Sequence, residues 1–129
     1  MTSPLVLVAD DCRTLQVITR RYLEAIGCEC VVTASGEDAY KQANLMKFDL
    51  LIFDLRMPDE DGQSLLSRIR QPDQRNATTP HLYISSEDPI ALMNRGITEG
   101  EVIRKPIEES LFCDRVTNAL TSSVEGLRC

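Results

Sequence analysis

Five short apolar runs alternate with five stretches of helical period, and this alternation constrains the fold more than any other feature of the chain. Leu5-Val6-Leu7-Val8-Ala9 is continuously apolar and stops at Asp10-Asp11. Asp49-Leu50-Leu51-Ile52-Phe53-Asp54 repeats the pattern. Their length and branched residues suit strands buried on both faces. Cys28 to Ala34, His81 to Ser85 and Glu101 to Arg104 read as three further strands. Between them lie the helices. From Arg13 to Ile26 apolar residues recur at Leu15, Ile18, Tyr22, Leu23 and Ile26, and Gly27 supplies a C-terminal cap. Ser35 is the N-cap of a second helix, with Glu37 and Asp38 in its first turn, running to about Met46. Ser64 to Arg70 forms a third, with Leu65, Leu66 and Ile69 inward. Asp88-Pro89 opens a fourth, carrying Ile90, Leu92 and Met93 and fading near Gly96. Ile107 to Leu120 forms the last, with Leu111, Phe112, Val116, Ala119 and Leu120 inward. Arg56 to Gly62 is a turn punctuated by Pro58 and Gly62, and Gln71 to Pro80 is a polar loop.

Strand and helix alternating with short connections imply an α/β fold: a doubly wound, five-stranded parallel sheet with helices on both faces. The chain has 129 residues, no internal repeat and no linker rich in Gly, Ser or Pro. It reads as one domain over residues 1–121 with a short tail at 122–129. Fourteen basic against 20 acidic residues leave a net charge of −6, which disfavours nucleic acid and anionic membranes as partners. No apolar run approaches the ~20 residues of a membrane span. The N-terminus has no basic region ahead of an apolar stretch, so a cytoplasmic location is expected. In a reducing compartment Cys12, Cys28, Cys30, Cys113 and Cys129 are expected as free thiols. A zinc site needs about four ligands. The single histidine is His81 and no second close Cys pair accompanies Cys28 and Cys30. Packing as small apolar groups is the better account of these thiols.

In an open parallel sheet, ligands bind beyond the C-terminal ends of the strands. Those ends carry Asp10 and Asp11, Asp54, Ser85 and Ser86, and Lys105. Three close carboxylates repel one another. A hard divalent cation relieves the repulsion, and oxygen-only ligands suit Mg²⁺. A cation and a lysine beside a carboxylate also suit a phosphoryl group, with the carboxylate as its acceptor. Taken singly, each of these residues is ordinary: an acid capping a helix, a surface lysine. Their coincidence at successive strand ends carries the argument.

From about Pro4 to Leu120 the chain resembles the receiver domain of bacterial response regulators, the CheY-like family, in apparently stand-alone form. The resemblance rests on Asp10-Asp11 after an apolar strand and on Asp54-Leu55-Arg56-Met57-Pro58-Asp59-Glu60-Asp61-Gly62, which matches the pattern D-x-x-M-P-x-x-D-G. Pro80 to Ser86 resembles the family's fourth strand with its terminal hydroxyl, and Lys105-Pro106 its Lys-Pro, where a cis bond is usual. The resemblance implies a flavodoxin-like (βα)5 fold of strand order 2-1-3-4-5. It also implies a phosphorylation-dependent switch. Asp54 is then the phosphoacceptor, Asp11 and Asp54 ligate Mg²⁺ with the backbone carbonyl of Arg56, and Asp10 acts through water. Lys105 pairs with the phosphoryl oxygens, and Ser85 bonds the phosphoryl group and carries the change outward. The implied phosphodonor is a sensor histidine kinase or a phosphotransfer protein. Catalytic ability is limited to self-phosphorylation and slow self-dephosphorylation.

Three positions depart from the family pattern. The position three before the lysine, commonly aromatic, is Val102. The position after the switch hydroxyl, commonly Ala, is Ser86. The stretch from Gly96 to Lys105 is longer and more acidic than usual. Arg56 and Glu87 flank the phosphosite with opposite charges; a lid over the phosphoryl group is weighed against two solvated side chains, and the solvated pair is slightly preferred. Tyr83 and Phe53 are expected in the core. Only 23 residues follow Pro106, so no output domain is expected in this chain, and output should pass to an unknown protein through the face of helix four, strand five and helix five. Two other functions are weighed. A phosphatase with an aspartyl-phosphate intermediate needs a general acid two residues after the nucleophile, and Arg56 stays protonated. A pseudo-receiver, a constitutive interaction module, is disfavoured by the complete set of acids, hydroxyl and lysine, although Val102 leaves it some room.

Overall fold

The computed structural model describes residues 3–128, and side chains among them as far as Thr121. The elements are β1 (Leu5–Ala9), α1 (Arg13–Ala25), β2 (Glu29–Thr33), α2 (Gly36–Leu45), β3 (Leu50–Asp54), α3 (Gly62–Ile69), β4 (His81–Ser85), α4 (Pro89–Asn94), β5 (Val102–Arg104) and α5 (Glu109–Arg128). All strand pairs are parallel, in the order β2-β1-β3-β4-β5. The strands form because their apolar runs can bury both faces. Leu7, Ala9, Leu51, Phe53, Tyr83 and Val102 face one way, against Ala39, Ala43, Leu65, Ile69 and Leu92 of α2, α3 and α4. Val6, Val8, Leu50, Ile52, Leu82, Ile84 and Ile103 face the other, against Leu23 of α1 and Phe112 and Val116 of α5. Tyr83 and Phe53 are core residues, 2% and 0% exposed.

Register brings the strand ends level. Ala9 lies opposite Phe53, Phe53 opposite Tyr83, and Ser85 opposite Arg104. The ladder runs one step further: Asp10 N donates to Thr33 O, Leu55 N to Ile84 O and Lys105 N to Ser85 O. The residues after each strand are therefore held at one rim by the sheet itself. The 71–80 loop is pinned by Asn76, which is fully buried. Its Nδ2 donates to Ala43 O and Met46 O, and its Oδ1 accepts from Phe48 N.

Several boundaries differ from the sequence reading. Helix α3 begins at Gly62 rather than Ser64, because Asp61 caps it by accepting from Gln63 N at 2.7 Å. Glu101 is not in β5: it closes a 3-10 turn, Glu99–Glu101, by accepting from Thr98 N and Thr98 Oγ1. Ile90 and Met93 are each 67% exposed, leaving Leu92 as the buried residue of the short α4. Leu111 points outward, because the inward stripe of α5 passes through Phe112 and Val116. Helix α5 continues to Arg128 through most of the expected tail, since no proline interrupts 121–128. Cys12, Cys28, Cys30 and Cys113 are free thiols, and Cys129 lies outside the described residues. No helix among the described residues is long and apolar enough to cross a membrane.

Candidate functional site

Asp54, the last residue of β3, is 2% exposed. Its Oδ1 accepts from Arg56 N at 2.8 Å, and its Oδ2 accepts from Lys105 Nζ at 2.8 Å. Lys105 follows β5 directly, and its bond to Pro106 is cis. Asp10 follows β1 and is fully buried. Its Oδ1 accepts from Cys12 N at 2.9 Å, a local side-chain-to-backbone turn just before α1. Its Oδ2 is buried without a hydrogen-bond partner, the one such side-chain atom among the described residues. Asp11 is exposed beside it. Carboxylate oxygens of Asp10, Asp11 and Asp54 lie within 4.8 Å of one another.

This crowding shows in the electrostatics. Burial, reinforced by the charges of Asp54 and Asp11, pushes the Asp10 carboxyl up from 3.8 to about 6, against the Cys12 N–H and the Lys105 charge. Burial alone would lower the Lys105 ammonium. The hydrogen bond and charge of Asp54, with Asp10 and Asp11, outweigh burial and raise it above its ordinary value. Three carboxylates around one ammonium, with an orphaned buried oxygen among them, form a donor set that fits a small hard cation.

The turn after β3 is packed too tightly for a side chain at Gly62. A Cβ there would stand 2.5 Å from Asp54 O and 3.2 Å from the Leu55 Cα. Because both are backbone atoms, neither can step aside. Gly62→Ala should therefore displace the end of β3 that carries Asp54 and lower stability by about 1–3 kcal/mol in urea unfolding. A fully stable Gly62→Ala protein would show that the turn is looser than this contact requires.

On the other side of Asp54, Ser85 is 2% exposed and its Oγ accepts from Glu87 N at 3.0 Å. Ser86 is exposed. Glu87 gathers more partners than any neighbour. Its Oε1 accepts from Arg56 Nε at 3.1 Å and Nη2 at 2.9 Å, its Oε2 from Arg95 Nη1 at 3.2 Å, and its carbonyl from Arg104 Nη1. Arg56 and Glu87 are paired on the side away from Asp54, with the Arg56 side chain 79% exposed and the Glu87 side chain 19% exposed. Arg95 also binds Asp61 Oδ2 at 2.7 Å and exchanges hydrogen bonds with Gln63. Val102 is buried, and with Leu92, Met93 and Ile97 it lines a small groove of about 30 Å³ between α4 and β5.

The family model described as "Response regulator receiver domain" matches residues 6–117. The chain belongs to that family. The receiver is 32% identical over 100 residues to the transcription factor prr1 of Schizosaccharomyces pombe, covering 74% of this chain and 18% of that protein. It is 30% identical over 115 residues to the Regulator of RpoS of Escherichia coli K12, covering 84% of this chain and 33% of that protein. The receiver thus spans well under half of either relative. Among solved structures, the receiver domain of the Francisella response regulator 1452 matches with a TM-score of 0.79 at 27% identity, covering 94% of this chain and 99% of that one. The chemotaxis response regulator CheY4 of Vibrio cholerae shares the fold, with a TM-score of 0.83 at 23% identity, covering 92% and 100%.

The geometry therefore brings together Asp10, Asp11, Asp54 and Lys105 at one point, with Ser85, Arg56 and Glu87 around its edge. Sequence reasoning missed Arg95, Arg104 and Gln63. Asp61 was visible as part of the motif, but its partner Arg95 lies 34 positions away at the end of α4, where no local spacing marks it.

Proposed function

We propose that this receiver is a phosphorylation-dependent signalling switch in which Asp54 accepts the phosphoryl group of a phosphohistidine. The observation that carries this reading is Asp54 itself. It is a buried carboxylate with one oxygen on the Lys105 ammonium and the other on the Arg56 N–H, beside the unpartnered Oδ2 of Asp10. In the transfer, a carboxylate oxygen of Asp54 forms a bond to phosphorus as the N–P bond of the donor breaks, and the imidazole leaves with the electron pair. Lys105 stays beside the added oxygens and offsets their charge. Asp11 and Asp54, with the backbone carbonyl of Arg56, would hold Mg²⁺ directly, and Asp10 would hold it through water. When bound, the ion screens the charge of the phosphoryl oxygens from the acids.

Ser85 is the residue that senses the change. Its hydroxyl already accepts from Glu87 N and retains a proton to donate to a phosphoryl oxygen. Moving toward that oxygen draws in the loop before α4. Val102 is short and stiff about its first torsion, so β5 takes little part in the response. The donor is a sensor histidine kinase or a phosphotransfer protein, in the cytoplasm, and output is by contact with another protein. The switch domain is assigned to residues 1–121, which contain the family match at 6–117, and α5 runs on from it to Arg128.

Intact mass after incubation with an acyl phosphate tests the reading. The expected result is the added mass of a phosphoryl group in the presence of Mg²⁺ and its loss when the metal is chelated. An unchanged mass under both conditions would favour a constitutive interaction module.

A further inference from the structure

We propose that Arg56 is a phosphoryl-binding residue held in reserve by Glu87, so that phosphorylation is read by an exchange of ion pairs at the start of α4. The inference deepens the proposed function and rests on it. The backbone of Arg56 touches the phosphoacceptor, since its N–H donates to Asp54 Oδ1 at 2.8 Å. Its side chain is 79% exposed and turns away to Glu87, 31 residues on, through two nitrogens. A guanidinium offers a planar fork that matches phosphoryl oxygens as well as it matches a carboxylate, and it is always charged. A single exposed pair of this kind is weak. A phosphoryl group on Asp54 brings nearly twice the charge of a carboxylate and three acceptor oxygens. It therefore competes for Arg56 on favourable terms.

Glu87 is built to survive the exchange. Its Oε2 keeps Arg95, whose other nitrogen is anchored on Asp61 Oδ2 and Gln63 Oε1 at the first turn of α3. Its carbonyl keeps Arg104 and its N–H keeps Ser85 Oγ. When Arg56 leaves, Glu87 remains neutralised by Arg95, and the loop before α4 loses its tie to Arg56 while keeping the one through Arg95 to Asp61. The same loop carries Ser85, so the hydroxyl and the guanidinium act on one segment from two sides. This gives the receiver a route to α4 that needs no aromatic residue at position 102.

Beryllofluoride with Mg²⁺, followed by amide chemical shifts around Asp54 and along Glu87 to Asn94, is the test. Arg56→Gln should weaken binding of the mimic about threefold to fivefold, the size of an exposed ion pair. Glu87→Gln should strengthen it by a similar factor, because it frees Arg56. The decisive variant is the double one. In the Arg56→Gln background, Glu87→Gln should have no further effect, and the α4 shifts on binding should be at least halved. If Glu87→Gln acts equally with and without Arg56, or if the α4 shifts of Arg56→Gln match the wild type, the exchange is wrong while the phosphoacceptor reading stands. If wild-type protein binds no mimic, or Asp54→Asn binds it equally well, both fall.

Discussion

Asp54→Asn should take up no phosphoryl group under conditions in which the wild-type protein is labelled, and it should do so without losing its fold. Asparagine has the same shape, so Oδ1 can still accept from Arg56 N. What it lacks is the charge and nucleophilicity of a carboxylate oxygen. The neighbouring acids do not substitute for it. Asp10 has one oxygen committed to Cys12 N and is fully buried, and Asp11 is exposed and away from Lys105 as a hydrogen-bond partner. Among the three acids, the Lys105 ammonium is hydrogen-bonded to Asp54. Intact mass gives the first readout and thermal unfolding the second. The variant should melt at or above the wild-type temperature, because it leaves one fewer acid in the cluster. Label that persists on Asp54→Asn would move the acceptor elsewhere. Loss of label with loss of fold would leave the acceptor undecided by mass, and the beryllofluoride shifts around residue 54 would then decide it.

How much of this was legible in the sequence follows from which interactions are local. The sheet could be read because each strand buries both faces and its apolar run is continuous. Level strand ends then followed from the parallel alternation, and with them the meeting of Asp10, Asp54 and Lys105. Residues 96–104 were less legible. The turn there depends on Glu101 reaching back to Thr98 and across to His81 Nε2 at 2.9 Å, and an acidic residue beside an apolar pair gives no hint of either. Leu111 was misplaced because three apolar residues near the start of α5 permit more than one inward stripe, and only packing against β5 and α1 selects Phe112 and Val116. The Glu87 network was beyond reach for another reason. The motif spacing places Arg56 and Glu87 beside Asp54 as a weak solvated pair, and it says nothing of what else Glu87 holds. Arg95, eight residues on, and Arg104, seventeen residues on, hold the Glu87 side of that weak pair, and no local spacing marks either as its partner.

Asp10→Asn should make the metal-free protein more stable at neutral pH, by about 2 kcal/mol. In the native protein the Asp10 carboxyl is raised from 3.8 to about 6, chiefly by burial, and Oδ2 has no partner. The unfolded chain ionises this group at its ordinary value, so folding is penalised once the carboxylate is charged. The sign is fixed by that order. Below about pH 4 the acid is neutral in both states and costs nothing. Between about pH 4 and pH 6 the unfolded state sheds its proton first, and native stability declines as pH rises. Above that window the penalty is constant. Asparagine does not titrate, keeps an oxygen for Cys12 N, and presents an amide that can donate to the carboxylates of Asp11 or Asp54 nearby. The stabilisation by Asp10→Asn should therefore be small near pH 4, grow through pH 6 and level off at neutrality. Added Mg²⁺ should narrow the gap at pH 7 by stabilising the wild type more than the variant. Urea unfolding of both proteins at pH 4.5 and pH 7, with and without the metal, checks each part. Equal stability of the two proteins at pH 7 without metal would mean that the buried carboxylate is better solvated than its unpartnered oxygen indicates. A gap that Mg²⁺ leaves unchanged would remove Asp10 from the cation site.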